Sequence, residues 1–425
     1  MNIRFYNGRI LTMKNNFEIE EKELWVEGDK ISYIGENKES NIRWDEEIDL
    51  KGNLLMPGFK NAHTHTAMTF LRSNADDYPL QEWLTEHIFP REAKLQGDDV
   101  YWLSILGIME YLSSGITANF DMYFPEDMIV KASFDTGFRT VLCGALNNFV
   151  SSIEQMEESY LKYNDEKYNG LISYKLGFHA EYTTSRELLE KIAKLSQKYK
   201  TPVWTHNSET KAEVEGCKER YGMTPTKLFD EIGIYDQGGG GYHCVYLDEE
   251  DLKIFKEKGL YIITNPSSNI KLASGIAPVH KFMNMDIPVG IGTDGPASNN
   301  ALDMFREMFL VSGLTKVKTG DASLVDGNEV LKMATVSSAH AMGLFDCDVL
   351  EEGKKADLIV IDLNRPNMQP VNNISKNLVY SGSKENIKLT MINGNILYRD
   401  GKFNIGFDEK EIYKKAQEIA DRINN

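Results

Sequence analysis

The chain has 425 residues, 41% of them hydrophobic and 26% charged, and 47 basic against 64 acidic side chains leave a net charge of −17. That length buries a large core and fits two or three domains, or one barrel with an appendage. The acidity argues against nucleic acid or an anionic membrane as partner. The four cysteines, Cys143, Cys217, Cys244 and Cys347, are scattered and form no Cys-x-x-Cys, which argues against a disulfide framework or a thiolate zinc site. No leader-like start and no apolar run of about 18 residues is present, so a cytoplasmic location is expected.

Taken in order, residues 2–13 read as two short strands around Asn7-Gly8, and Leu24 to Ile34 as a hairpin turning at Glu27-Gly28-Asp29. From about residue 54 apolar runs alternate with amphipathic stretches. Strands are predicted at Leu54–His63, Ile116–Met122, Thr140–Leu146, Ser173–His179, Pro202–Asn207, Tyr242–Tyr246, Leu260–Asn265 and Pro288–Asp294. Helical patterns between them include Ser185–Lys200, Asp248–Lys258 and Ala301–Leu314. Eight parallel strands with intervening helices make an α/β protein with a (β/α)8 TIM barrel. From about residue 353 the pattern reverts to β: a strand at Ala356–Leu363, a hairpin from Lys388 to Phe403 turning at Asn393-Gly394, then a charged helix from Glu409 to Ile423. The two β-rich ends are expected to build one composite β-sandwich, from residues 1–56 and 351–425, around a barrel at 57–350.

In such a barrel the chemistry lies at the carboxyl ends of the strands. His63 and His65 end the first predicted strand, His179 the fourth, His206 the fifth, His243 the sixth and Asp294 the eighth. Residues i and i+2 of a strand face the same way, so His63 and His65 can present two imidazoles to one point. By itself a His-x-His is more often a solvated or hydrogen-bonded pair. His63, His65, His206 and Asp294 together offer three neutral imidazoles and a carboxylate, a donor set suited to one divalent metal, zinc first among them. Such a metal lowers the pKa of a bound water. Asp294-Gly295 also reads as a turn. Glu209, three residues after His206, suits proton transfer beside that water, although Ser208-Glu209-Thr210 also resembles a helix start. The remaining histidines, His87, His280 and His340, read as structural or solvated.

Several stretches resemble the amidohydrolase superfamily, and within it the branch of 5-methylthioadenosine/S-adenosylhomocysteine deaminases and chlorohydrolases. They are Pro57-Gly58-Phe59-Lys60-Asn61-Ala62-His63-Thr64-His65, His206-x-Ser208-Glu209-Thr210, His243-Cys244-Val245, the run from Asn265 to Val279, and Gly292-Thr293-Asp294-Gly295-x-x-Ser298-Asn299-Asn300. Gly353 to Val360 is similar too. The resemblance implies a distorted barrel, one zinc ion on His63, His65, His206 and Asp294, and hydrolytic deamination of an adenine nucleoside: 5-methylthioadenosine, S-adenosylhomocysteine or adenosine. It implies that Glu209 protonates ring N1, that His243 hydrogen-bonds the attacking water, and that Asp294 takes the water's proton. Binuclear relatives carry a modified lysine at the end of the fourth strand; here His179 holds that place, with Lys175 four residues earlier, so a single metal is expected.

For the substrate, Pro90-Arg91-Glu92 matches the segment whose glutamate binds ribose, so Glu92 is expected there, with a surface helix glutamate as the alternative reading. His179 matches the purine contact, although Glu181 departs from the family pattern. Trp83 is a candidate wall for the base or ordinary core. Arg139, in Gly137-Phe138-Arg139, is the candidate ligand for a homocysteine carboxylate, but Leu142 to Leu146 lacks the second arginine of some relatives. The alternative function within the branch is deamination or dechlorination of guanine, a pterin or a triazine, for which a ribose ligand would have no use. The oligomeric state is left open, a homo-oligomer included.

Overall fold

The computed structural model describes residues 1–14, 17–39 and 41–424. The amino-terminal strands are β1 (Asn2–Leu11), β2 (Ile19–Glu27), β3 (Lys30–Gly35), β4 (Glu46–Asp49) and β5 (Leu54–Pro57). Next come β6 (Phe59–Thr64), β7 (Ile116–Asp121), β8 (Arg139–Cys143), β9 (Ile172–Gly177), β10 (Val203–Asn207), β11 (Gly239–His243), β12 (Tyr261–Thr264) and β13 (Val289–Ile291). The last are β14 (Leu358–Ile361), β15 (Ile387–Ile392), β16 (Asn395–Arg399) and β17 (Lys402–Phe403).

β6 to β13 form an eight-stranded sheet in chain order, every pair parallel, with helices between strands: a distorted (β/α)8 barrel. Most of its residues are buried, as expected of strands covered on both faces. The hydrogen-bonded path ends at β6 and β13, and the seam between them closes differently. The Asp294 N–H donates to the His63 carbonyl at 3.0 Å. The Asn61 side chain accepts from the Thr293 N–H at 2.8 Å and donates to its hydroxyl at 2.7 Å. Gly292 permits this approach, since a Cβ there would sit 2.8 Å from the His63 backbone nitrogen. Phe120, Trp204 and Tyr242 fill the interior, with ring centroids 5.2 Å apart for Phe120–Trp204 and 5.8 Å for Trp204–Tyr242. They plug the barrel below its carboxyl end.

The other nine strands form one mixed sheet, along the order β17-β16-β15-β14-β5-β1-β2-β3 with β4 beside β1, and it has its own apolar core, including Ile3, Phe5, Leu24, Leu55, Leu358 and Leu389. Strands from both ends of the chain meet where β14 pairs antiparallel with β5.

The Gly28 turn joins β2 to β3, and the Asn393-Gly394 turn, with φ of 48° and 72°, joins β15 to β16. Three expectations need correction. Asn7-Gly8 turns no hairpin: it is an irregularity within the ten residues of β1, where Asn7 takes φ 55° and the register against β2 shifts. The strand expected at Leu54–His63 is two strands, β5 in the terminal sheet and β6 in the barrel, parted at Gly58. The sixth barrel strand is Gly239–His243, upstream of Tyr242–Tyr246. Its glycines carry no apolar signal, and Gly240 is needed because a Cβ would fall 2.2 Å from the Tyr261 carbonyl oxygen.

Arg139 opens β8 at the amino end of the barrel, away from the strand ends that carry the histidines. It is buried, donating from Nε to Asp357 Oδ2 at 2.7 Å and from one terminal nitrogen to Oδ1 at 2.9 Å, and it also bonds Gly170 and Asn393. It joins the barrel to the terminal sheet and is not a substrate ligand. Burial pushes Asp357 up, but Arg139 outweighs burial and holds it below its usual value. Arg139→Met leaves that carboxylate unpaired and should destabilise the fold by about 3–5 kcal/mol, seen as a lower melting temperature. A depressed carboxyl contributes stability that is present above its unfolded value, about 3.9, and lost as pH falls through the folded one. The deficit of the mutant should therefore narrow on acidification.

Candidate active site

The carboxyl ends of β6, β9, β10, β11 and β13 bring His63, His65, His179, His206, His243 and Asp294 together. The ring nitrogens of His63, His65 and His206 lie within 4.8 Å of one another. Asp294 Oδ1 is 3.5 Å from His63 Nε2 and 3.2 Å from His65 Nε2. A tetrahedral zinc ion, with bonds of about 2.0–2.1 Å, separates its donors by roughly 3.3 Å, so these spacings fit one ion.

The rings are held from behind. His65 Nδ1 lies 2.6 Å from the Met122 carbonyl and His206 Nδ1 is 2.6 Å from that of His179. A carbonyl only accepts, so each Nδ1 carries a hydrogen and each Nε2 faces the centre, where Asp294 draws His65 toward its protonated form and a cation would take that proton's place. His63 stacks on Tyr242 at 3.8 Å, and it is fully buried with neither ring nitrogen hydrogen-bonded among the described residues. A buried imidazole without partners is unfavourable, and a cation among these donors resolves it. Burial holds His63 and His206 well below the usual imidazole value, so both are neutral. For Asp294 burial works against the charge, but His65 outweighs it and keeps the carboxyl well below its usual range. Its Oδ2 accepts from Ser268 at 2.6 Å and Ser298 at 2.8 Å, and its Oδ1 from the Gly295 N–H at 2.8 Å.

Above the cluster lies a cavity of about 470 Å³, lined by His65, His179, His206, His243, Glu209 and Asp294 at one end. Glu92, Trp83, Tyr123, Phe124 and Phe149 also line it. His243 Nδ1 lies 2.8 Å from Asn269 Oδ1, which requires an N–H there, and its Nε2 is unpartnered, 3.9 Å from Glu209 Oε2 and 4.0 Å from Asp294 Oδ2. Glu209 Oε1 accepts from Ser274 at 3.0 Å, and burial raises its carboxyl. Burial also raises Glu92, whose Oε1 has no hydrogen-bond partner. The Trp83 indole N–H is likewise buried and unpartnered.

Of the site residues expected from sequence, Arg139 lies away from this region. His87 stacks on Tyr78 at 3.9 Å and His340 pairs with Asp348 at 2.8 Å, both outside it. Sequence reading gave no role to Ser268, Asn269, Ser274 and Ser298, which orient Asp294, His243 and Glu209. Their signal was the run of small polar residues after β12 and β13. Tyr123, whose buried hydroxyl faces the Glu92 carboxyl, was missed because a tyrosine at a strand end looks like core.

A fold of this topology, with histidines and an aspartate at these strand ends, is that of a metal-dependent hydrolase. The model of the amidohydrolase family matches residues 54–397, and the chain belongs to that family. It is 38% identical over 425 aligned residues to the 5-methylthioadenosine/S-adenosylhomocysteine deaminase of Caldicellulosiruptor saccharolyticus, covering 99% of this chain and 98% of that one. It is 39% identical over 406 residues to the 5′-deoxyadenosine deaminase of Methanocaldococcus jannaschii, covering 94% and 96%. The crystal structure of an adenosine deaminase from Xanthomonas campestris with bound zinc matches with a TM-score of 0.93 at 29% identity, over 99% of this chain and 98% of that one.

His206 and His243 both face the centre, and their assignments can be separated. His206→Ala should lose the metal, because it removes one of four protein donors, while His243→Ala should keep it and lose turnover. Elemental analysis of the purified variants reads the difference; undiminished metal in His206→Ala rejects the ligand assignment.

Proposed function

We propose that the chain is a zinc-dependent hydrolase that removes the 6-amino group of an adenine nucleoside as ammonia, leaving the inosine-type product. The observation that carries this reading is one apolar cavity with Glu209, His243 and Asp294 around the histidine cluster and a second buried carboxyl, Glu92, on its wall. The whole-length similarity to nucleoside deaminases supports it.

A divalent ion held by His63, His65, His206 and Asp294 would act as a Lewis acid and lower the pKa of a water in the site. This chain's residues do the rest. The free Nε2 of His243, about equally far from Glu209 and Asp294, holds the attacking water by a hydrogen bond and aims it at C6. Addition to an aromatic ring is unfavourable unless charge on the ring nitrogen is neutralised as the bond forms, so Glu209, raised by burial, gives its proton to N1. Asp294, held ionised, takes one proton of the water and passes it to the departing amine, and as the C6 carbonyl forms the remaining hydroxyl proton returns to Glu209. His179 borders the base, with Nδ1 3.0 Å from the Thr183 hydroxyl, and Trp83 forms part of the wall. Glu92 accepts hydrogen bonds from the ribose hydroxyls, which supply the partners its Oε1 lacks.

Glu209→Gln keeps the shape and removes the proton, so turnover should fall at least about a hundredfold with metal retained. Near-normal turnover in metal-loaded mutant would leave Glu209 only a structural role.

Glu92→Ala should lower kcat/KM on adenosine by about ten- to thousandfold and scarcely alter any slow reaction on free adenine. The comparison is adenosine, 2′-deoxyadenosine and adenine with both proteins. Equal use of adenosine and its 2′-deoxy analogue by wild type and mutant alike would reject the nucleoside reading in favour of a free base or a pterin.

A further inference from the structure

The turn after β10 contains a second buried glutamate that the reaction does not use. The helix Lys211–Tyr221 begins at Thr210, whose hydroxyl accepts from the Glu213 N–H at 3.1 Å. In an ordinary capping box, the carboxylate at this third helical position returns to the N–H of the capping residue itself. Here it meets the Thr210 N–H and reaches further back as well. Glu213 Oε1 accepts from the Ser208 N–H at 2.8 Å, and Oε2 from the Glu209 N–H at 2.8 Å.

Ser208 takes a left-handed conformation, with φ 52°, which a non-glycine residue keeps only when its surroundings hold it there. Two successive N–H groups then point the same way and make a small anion-binding concavity, which the Glu213 carboxylate fills. This turn decides where the Glu209 side chain leaves the backbone. Its other end is tied by Ser274.

We propose that Glu213 is a positioning residue: it clamps the backbone of Ser208 and Glu209 so that the Glu209 carboxyl stands in the cavity at the height of the attacked ring. A second carboxyl beside Glu209 is unfavourable for capping alone, which Thr210 already performs. Burial, and then repulsion from Glu209, push Glu213 up to about 7. Glu213 is only 3% exposed, so water does not substitute for it.

The inference rests on Glu209 being the proton carrier, and a double-mutant cycle separates the two claims. Glu213→Gln keeps the volume but sets an amide NH₂ against one of the two N–H groups. Displacement of a reacting group by about 1 Å costs up to a hundredfold. Glu213→Gln should therefore lower kcat by about ten- to a hundredfold per metal-loaded chain, with KM within about threefold. In a Glu209→Gln background the same change should cost less than about twofold, because the carrier it positions is gone. Equal losses in both backgrounds, unchanged kcat per metal-loaded chain, or a loss confined to KM would overturn the proposal. Failure of the Glu209 reading shows separately, as normal turnover in Glu209→Gln alone.

Discussion

At the seam of the barrel the Asp294 N–H donates to the His63 carbonyl, and Asn61 bridges to Thr293 where a strand ladder would otherwise run. Residues separated by more than two hundred positions thereby become neighbours. Without that seam, the aspartate of the last strand would not stand within 3.5 Å of the imidazoles of the first. The aromatic plug beneath acts in the same direction. Tyr242 stacks under His63, so the floor of the site is the upper surface of the barrel core. Cluster geometry is thus set by elements that cannot move independently, which is what a site with little tolerance for displacement requires.

The surroundings divide three buried carboxyls into different states. Asp294 accepts three hydrogen bonds and faces histidines, which keep it ionised against the effect of burial. Glu209 and Glu92 lie against apolar walls, and burial raises both. Groups of one chemical type, in one cavity, are thus set apart by burial and by their partners, and the proposed roles of base, acid and acceptor rest on that division.

Much of this could be read from the chain alone, for definite reasons. His63 and His65 announce themselves through the two-residue repeat of a strand, His206 and Asp294 through apolar runs that stop at a polar residue, and His243 through the likeness of His243-Cys244-Val245 to the family pattern. Arg139 misled because the feature that decides its role, the end of β8 on which it lies, depends on where that strand begins; it is the first residue of the strand. The glycines of β11 were invisible to hydrophobic periodicity, because what selects them is the closeness of neighbouring backbone. Asn7-Gly8 has hairpin composition, yet β1 continues through it because pairing with β2 and β4 on either side outweighs the local preference. Glu213 drew no reading from the sequence, because the reach of its carboxylate depends on the left-handed Ser208, which no spacing reveals.

The pairing of β5 with β14 has a consequence for biosynthesis. Leu54, Leu55 and Met56 find their partners in Ile361, Val360 and Ile359. On a ribosome, those partners emerge roughly 300 residues later, or about 15–60 s at ordinary elongation rates. For that interval the nascent chain carries an apolar strand with one open edge, the kind of surface on which chains pair with one another. Any event that halts synthesis after the barrel but before Leu358 leaves a polypeptide with His63, His65, His206, Asp294 and Glu209 all present and that edge uncovered. The last strands therefore cover the edge that β5 leaves open, and they stand apart from the residues that line the cavity.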